Sequence, residues 1–305
     1  TSAAVEALPE GPAREAATDH LYRGQSNDCY WHGVFGGIYI AHMRLATQEH
    51  LIAAQDICDR QGREQGLPVD GIRSLDALRR EFHTRYVWEQ GQLDFVNDEW
   101  QRYRDRDNHV FRDDGLALVA RAAGPGELRP GSIDSGMLRS RWTGRHGYFE
   151  AEMKVPRGRG LWSAFWLVAE NGTWPPEIDV VEVVDNGRDD TRRSFHHLHG
   201  KAALDRARTH HSLLDRHGAF DAGVDLADGM HTFAVEWTPE AVRHFVDHRL
   251  VAEREYRWRH DDGREAGDAH LLVNLAVGGR WPGPPSPEVL PAELRIAAIR
   301  VWQTS

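Results

Sequence analysis

Three acidic side chains occur close together in a short stretch whose other residues favour β-strands. Glu177, Asp179 and Glu182 are interrupted only by isoleucine and valine. Because side chains alternate between the two faces of a strand, Glu177 and Asp179 point the same way and Glu182 points the other way. A β-bulge, which inserts one extra residue, would return Glu182 to the face of the first two acids. The spacing therefore predicts a bulge near Val180 and Val181.

Two carboxyl groups on one strand face can hydrolyse a glycosidic bond. Hydrolysis with retention of configuration needs a carboxylate nucleophile and a protonated carboxylic acid about 5–5.5 Å apart. Crowding and a low dielectric force their pKa values apart, so that one group stays ionised while the other keeps its proton near neutral pH. In this interpretation Glu177 is the nucleophile and Glu182 is the general acid/base. Asp179 steadies the pair through a proton or a hydrogen bond.

The same three acids have two plainer interpretations, a solvated strand face or a calcium site. The flanking sequence argues against a solvated face, because Trp162, Trp166 and Trp174 lie just upstream of the acids. Flat aromatic rings stack on the apolar face of a pyranose, and polar groups at the rim then fix the orientation of the sugar. The tryptophans therefore favour a carbohydrate-binding cleft around the acids.

The composition permits a large folded core and excludes two classes of partner. The chain has 305 residues, of which 40% are hydrophobic and 28% charged, which suits one large β-sandwich with an appendage. Its formal net charge of −10 argues against nucleic-acid binding, which needs a basic patch. No apolar run reaches the length of about eighteen residues expected of a membrane span. Cys29 and Cys58 form no disulfide framework and match no metal-ligand spacing.

The chain divides into two parts with different sequence patterns. Residues 1–62 are predicted to be helical, because the run 38–60 has few helix breakers and carries apolar residues near a 3.6-residue period. Residues 63–80 contain glycine and proline and are predicted to be a linker. Residues 81–305 are predicted to form one β domain.

From about Arg85 onward the sequence consists of short alternating segments. In 148–155, apolar residues at every second position alternate with polar ones. Further strands are expected at 116–121, 178–184, 233–237, 270–277 and 295–302, and at 242–250 with a turn at Asp247 and His248. Many short strands separated by Gly, Pro and Asp turns, without helices between them, indicate an antiparallel β-sandwich.

Several longer motifs make the chain similar to a known family between about Phe82 and Trp302. In chain order these motifs are 107–110, 135–140, 147–158, 160–167, 177–182, 231–237 and 274–283. Together they resemble glycoside hydrolase family 16, which includes laminarinases, lichenases, agarases and carrageenases. The two residues between Asp179 and Glu182 resemble the laminarinase-like branch. The resemblance implies a mainly β fold, a concanavalin-like β-jelly-roll sandwich with the substrate in its concave groove, here preceded by a short helical N-terminal segment.

The resemblance also implies roles for individual residues. It assigns to Glu177, Asp179 and Glu182 the roles that their spacing suggests. Its substrate-contacting positions match Asn108, Glu150, Trp162 and Trp166. The chain has Glu152 where many relatives have arginine, and Ser163 where they have proline. These departures put the substrate preference in doubt more than the chemistry.

Three further residues are candidate substrate contacts. Trp142 and Trp281 are candidate stacking platforms, and core packing is the alternative for each. His197 shares a strand face with His199 and could line the cleft. A His-x-His spacing also raises the question of a metal, but without further ligands it is weak evidence. No metal-ligating residue is therefore predicted.

The N-terminal segment, about 13–60, resembles a different family. The sequence 21–39, which contains Trp31 and His32, is similar to a late motif of glycoside hydrolase family 57, the amylases and glucanotransferases that act on α-glucans. In that family the nucleophile and the acid lie on an upstream barrel, so this segment alone cannot perform the reaction. Trp31 and His32 could still contact a sugar. A natural or artefactual fusion of two gene fragments accounts for both resemblances.

Together these features predict a retaining, endo-acting glycoside hydrolase with a β-linked polysaccharide as substrate, most simply a β-1,3-glucan. Two alternatives stay open, a non-catalytic β-glucan-binding protein and an α-glucan-active protein of the family 57 type. No redox cofactor is expected. Some members of family 16 bind a structural calcium, but no residue here can be assigned to it. The resemblance implies a secreted or periplasmic location, although no signal peptide follows Thr1.

Overall fold

The structure is a computed structural model and describes residues 5–6, 11–24, 78–80, 82–83, 96–105, 107–188 and 190–303. In the N-terminal part it shows the helix α1 (Pro12–Gly24). The predicted helical run 38–60 lies outside the described residues, as do Cys29, Trp31, His32 and Cys58. Within the described ranges, no helix has both the length and the apolar character needed to cross a membrane.

Most of the regular secondary-structure elements in the rest of the described chain are strands. Those strands are β1 (Phe82–His83), β2 (Gln101–Tyr103), β3 (His109–Arg112), β4 (Gly115–Ala122), β5 (Ile133–Ser135), β6 (Met137–Ser140), β7 (Gly147–Lys154), β8 (Leu161–Ala169), β9 (Glu177–Asp185), β10 (Arg193–Phe195), β11 (Leu198–His199), β12 (Thr209–Ser212), β13 (Ala219–Asp221), β14 (His231–Trp237), β15 (Ala241–Val246), β16 (Arg249–Glu255), β17 (Ala269–Val277) and β18 (Ala292–Trp302). A short helix, α2 (Lys201–Leu204), lies between β11 and β12. Each strand predicted from alternation is found, with small shifts at its ends.

The turn predicted at Asp247 and His248 is also present, and it joins β15 to β16. Both residues have positive φ angles, 48° and 64°. Two successive positive φ values are the geometry of a type I′ turn, whose twist matches that of the strands it connects. The predicted segment 242–250 is therefore a hairpin of two strands.

The strands form two sheets. An eight-stranded sheet has the order β1-β6-β17-β8-β9-β10-β13, with β11 paired to β9. A ten-stranded sheet has the order β12-β16-β15-β14-β7-β18-β4-β5-β2, with β3 paired to β4. Neighbours such as β8 and β17, or β7 and β18, are antiparallel but far apart in sequence. These crossovers confirm the predicted antiparallel sandwich of the jelly-roll type.

The core lies between the two sheets and is formed by alternate residues of each strand. In β7 the buried apolar residues are Phe149, Ala151 and Met153. In β8 they include Phe165 and Leu167. Because side chains alternate, the residues between these in β8 lie on the opposite face of the eight-stranded sheet. We call this opposite face the cleft face.

Contacts of the sandwich extend to the end of the predicted linker. Leu78 is fully buried and belongs to the main core cluster. Arg79 forms an ion pair with Asp105 at 3.0 Å. The last part of segment 63–80 is therefore packed against the β domain.

Candidate active site

The predicted β-bulge is present in β9. The antiparallel register between β8 and β9 shifts, so that Val181 lies opposite Phe165 whereas Asp179 lies opposite the next residue of β8. Val180 is left without a partner in β8, and both Val180 and Val181 belong to the core cluster. The extra residue returns Glu182 to the cleft face, as the spacing predicts.

Glu177 is held by an aromatic side chain, a histidine and a second acid. Trp174 Nε1 donates a hydrogen bond to Glu177 Oε2 at 3.0 Å. His199 Nε2 lies 3.6 Å from Glu177 Oε1 and 2.9 Å from Asp179 Oδ2. Glu177 and Asp179 are also hydrogen-bonded to each other. These two carboxyl groups therefore form one unit with His199.

The acids of this unit resist losing both of their protons. Burial, followed by the charge of Asp179, raises the pKa of Glu177 well above its ordinary value. Burial, followed by the charge of Glu182, raises the pKa of Asp179 well above its own. Two carboxylates in contact at low dielectric cannot both ionise at little cost. Burial and mutual repulsion therefore favour one proton shared by Glu177 and Asp179 over the ionisation of both groups.

Glu182 has partners that differ from those of Glu177. Its Oε1 accepts a hydrogen bond from Trp162 Nε1 at 3.1 Å, and its Oε2 lies 2.6 Å from His197 Nδ1. Burial lowers the pKa of His197, but the hydrogen bond and the charge of Glu182 outweigh it and raise that pKa to about 9. The two glutamates are therefore bonded to different groups, which suits different roles in one reaction.

A buried layer beneath β9 holds the backbone of the bulge. His196 Nδ1 donates to the Val180 carbonyl at 2.7 Å, and His244 Nε2 donates to the Asp179 carbonyl at 3.1 Å. Burial lowers the pKa of His196 to about 3 and lowers that of His244 well below its ordinary value. Arg254 donates to the His196 carbonyl at 2.8 Å. Two neutral histidines thus each bind one carbonyl at the bulge, and His244 reaches the Asp179 carbonyl from β15 of the other sheet.

We expect His244→Leu to reduce kcat by about 10-fold to 100-fold, because a small displacement of the catalytic groups costs that much. It should also destabilise the fold by about 1–3 kcal/mol, the cost of an unsatisfied buried acceptor. His244→Gln keeps a donor for the Asp179 carbonyl and should recover much of both losses. Steady-state kinetics and thermal unfolding of the two variants check this, and equal kcat values in both would contradict it.

The aromatic residues predicted for the cleft include two that lie together beside Glu182. The ring of Trp281 is 5.3 Å from that of Trp162 and 6.0 Å from that of His197, between centroids. Trp166 lies on the same face of β8 and donates from Nε1 to Asn274 Oδ1 at 2.8 Å. Three of the predicted substrate contacts, Trp162, His197 and Trp281, are therefore grouped at the Glu182 end of the site.

The structure does not bring three other predicted contacts to the acids. Glu150 lies on β7 of the ten-stranded sheet, where alternation points it away from the core, and Arg300 donates to it at 3.2 Å. Asn108 is buried, and its amide donates to the Val119 carbonyl at 2.7 Å. Trp142 packs against the core, consistent with the core-packing alternative. Glu150, Asn108 and Trp142 therefore do not join the group of side chains around the acids, and their substrate contacts stay predictions.

The two departures from the family pattern also lie away from the cleft face. Glu152 is on β7, with Arg300 at 3.8 Å. Ser163 is 3% exposed and lies in β8 two residues before the core residue Phe165. Neither side chain therefore lies on the face that carries the acids.

Two residues at the site were not among the predicted contacts. Trp174 is 55% exposed, although its indole is bonded to Glu177. His199 is bonded to Asp179, and its ring lies 5.9 Å from that of Trp174. Two features of the sequence could have identified these residues. Trp174 lies just before the acids, and His199 follows His197 by two residues, so that both point to one strand face.

The donors around Asp179 are close enough to raise the question of a metal. Ligand atoms of Asp179, His197 and His199 lie within 4.8 Å of one another. Both histidines are instead engaged in hydrogen bonds to the catalytic acids, at 2.6 Å and 2.9 Å. The nitrogen atoms that could ligate a metal are therefore the same atoms that hold these two hydrogen bonds.

Crowded carboxylates on a tryptophan-lined strand face suit an enzyme that cleaves glycosidic bonds. Comparison with protein families agrees with this. Residues 83–286 match the family described as glycosyl hydrolases family 16, and the chain belongs to that family. The predicted glycoside hydrolase and the predicted family are therefore confirmed.

Individual relatives support the same classification. A β-glucanase of Rhodothermus marinus is 29% identical over 237 residues, which cover 72% of this chain and 79% of that protein. The crystal structure of a laminarinase from Flavobacterium sp. UMI-01 superposes with a TM-score of 0.60 and 25% identity. That superposition covers 77% of this chain and 97% of the laminarinase.

The N-terminal resemblance is found as well. Residues 1–58 match the family described as alpha-amylase/4-alpha-glucanotransferase, middle domain. Alpha-amylase 1 of Dictyoglomus thermophilum is 46% identical over 52 residues, which are 17% of this chain and 8% of that enzyme. The segment therefore corresponds to a small part of such an enzyme, and α1 lies within it.

Proposed function

We propose that this chain is a retaining, endo-acting β-glucanase. The observation that carries the proposal is the placement of Glu177 and Glu182 on one face of β9 with different partners. Glu177 shares a proton with Asp179, whereas Glu182 is bonded to Trp162 and His197. The two glutamates are therefore suited to different roles. Glu177 can act as the nucleophile, and Glu182 can give up a proton and take one back.

In the first step Glu177 attacks the anomeric carbon while Glu182 gives its proton to the leaving oxygen. The bond to the leaving sugar breaks as the bond to Glu177 forms. In this step the shared proton stays on Asp179, which donates a hydrogen bond to Glu177. The nucleophile is therefore ionised when it attacks. In the second step Glu182 takes a proton from water, whose oxygen displaces Glu177. Two inversions at one carbon retain its configuration.

We propose a β-1,3-linked glucan as substrate and an internal bond as the point of cleavage. The substrate class is supported by the names of the relatives, a β-glucanase and a laminarinase. Internal cleavage is supported by aromatic rings at both ends of the acid set. Trp174 lies beside Glu177, and Trp281 lies beside His197 and so near Glu182. Sugars on both sides of the scissile bond therefore have a ring to stack on.

Reducing-sugar release from laminarin, mixed-linkage β-glucan, agarose and starch tests this proposal. We expect laminarin to be cleaved to a range of oligosaccharides whose first-formed reducing ends are β-anomers by ¹H NMR. Prior dialysis against EDTA should leave the rate unchanged, because no proposed step uses a metal.

Other outcomes would point elsewhere. Binding of laminarin without cleavage would indicate a non-catalytic glucan-binding protein. First-formed α-anomers would contradict retention. Cleavage of starch that survives loss of Glu177 would place the activity in the N-terminal segment.

A further inference from the structure

His197 is bonded on both sides of its ring, and this determines which nitrogen carries a hydrogen. Its Nε2 lies 3.1 Å from the backbone carbonyl of His217. A carbonyl can only accept a hydrogen bond, so Nε2 carries a hydrogen in every protonation state. When the ring is neutral, its Nδ1 is therefore bare and can only accept.

Nδ1 faces Glu182 Oε2 at 2.6 Å. Such a contact requires one proton between the two atoms. The proton can sit on the ring, giving an imidazolium and a carboxylate, or on the acid, giving a neutral imidazole and a carboxylic acid. Both forms keep both hydrogen bonds of His197. The proton can therefore pass between the two groups without any rotation of the ring.

The surroundings are built to hold the ring in this place. Gly218 has a φ of +78°, and a Cβ at that position would lie 2.8 Å from His197 Nε2. The rings of Phe195 and Trp281 lie 6.1 Å and 6.0 Å from that of His197. A side chain at position 218 would push the imidazole out of its position, so the turn that supplies the His217 carbonyl depends on glycine.

We propose that His197 is a positioning residue that stores the proton of the general acid, so that His197 and Glu182 act as one acid/base pair. This rests on the proposed function of Glu182. In the first step the pair gives one proton, through Glu182, to the leaving oxygen and is left as a carboxylate and a neutral imidazole. In the second step Glu182 takes a proton from the attacking water, and the pair is restored.

The pH dependence follows from the charged groups around the ring. The charged groups are the carboxylates Glu182 and Asp179 of β9 and the guanidinium of Arg254. The other titratable groups are the imidazoles of His196, His199 and His244, of which His196 and His244 are neutral. The nearest carboxylate dominates, since Glu182 raises the pKa of His197 to about 9 against the effect of burial. A raised pKa means that the proton is present below that pH and is lost as the pH rises through it. The pair of His197 and Glu182 therefore keeps its shared proton well above neutral pH.

The test is the pH profile of kcat/KM on laminarin for the wild type and His197→Gln. In the variant Glu182 must hold the proton alone, without the imidazole that shares it in the wild type. We expect the basic limb of the profile to move to lower pH by at least about one unit. His231→Gln is the matched control, because His231 makes a similar contact of 2.8 Å to Asp247 on the ten-stranded sheet. Its basic limb should stay in place.

A second measurement does not depend on turnover. The ¹⁵N imidazole signals of His197 should titrate near 9 in the wild type, and should titrate at clearly lower pH in Glu182→Gln, because the variant lacks the carboxylate that raises this pKa against the effect of burial. A uniform loss of activity in His197→Gln with an unmoved basic limb, or an ordinary pKa of His197 in the wild type, would overturn the proposal. If the wild type cleaves no glucan but His197 still titrates near 9, the proposed function fails and the proton pair stands.

Discussion

Replacing Glu177 by alanine should reduce laminarin hydrolysis by about 10⁴-fold or more, the scale on which loss of a nucleophile acts. Glu177 is the acid that shares a proton with Asp179 and accepts a hydrogen bond from Trp174. Without it the glycosyl-enzyme cannot form. Binding of laminarin should persist, because the tryptophans of the cleft face are unchanged. Reducing-sugar assays and affinity electrophoresis measure the two properties.

Added azide identifies the position of the missing group. In Glu177→Ala, azide can enter the vacated face and displace the leaving group in one inversion, so the expected product is an α-glycosyl azide.

The thermal midpoint of Glu177→Ala should not fall, because burying Glu177 beside Asp179 raises the pKa of both groups and so costs stability at neutral pH. Glu236→Gln is the control, since Glu236 pairs with Arg243 on the ten-stranded sheet. Residual hydrolysis within ten-fold of the wild type would rule out Glu177 as the nucleophile.

Glu182→Ala should show a loss that depends on the leaving group. With laminarin we expect kcat/KM to fall by about 10²-fold to 10⁴-fold, the usual contribution of a general acid. With a dinitrophenyl β-glycoside of a laminari-oligosaccharide the first step should be much less affected, because that leaving group needs no proton. The second step should then be slow, since no base remains to activate water. A burst of dinitrophenol followed by slow turnover is the expected time course.

Azide again separates the roles of the two glutamates. In Glu182→Ala the glycosyl-enzyme still forms on Glu177, so azide should resolve it by a second inversion and give a β-glycosyl azide. An α-azide from this variant, or an equal loss on both substrates, would contradict the assignment. Opposite anomers from the two alanine variants would establish both roles in one experiment.

Local sequence patterns determined much of this protein. Alternation with a period of two is read from neighbouring residues alone, and it located strands such as β7, β14 and β17. The spacing of Glu177, Asp179 and Glu182 is also local. Glu182 is five residues after Glu177, and two strand residues separated by an odd number lie on the same face only if a bulge inserts one extra residue. The bulge at Val180 could therefore be predicted without any tertiary contact.

The tertiary structure decided the contacts between distant segments. Glu150 could be expected on a strand face, but only the sheet order shows that its strand lies in the sheet without the acids. His244 is 65 residues from Asp179 yet donates to its carbonyl across the core. Likewise, the pairing of His197 with Glu182 depends on how β9 and the segment after β10 lie together. The sequence determined which groups could do the chemistry, because spacing along a strand is local. Only folding decided which side chains hydrogen-bond to the catalytic carboxyl groups and share their protons, because those side chains come from other parts of the chain.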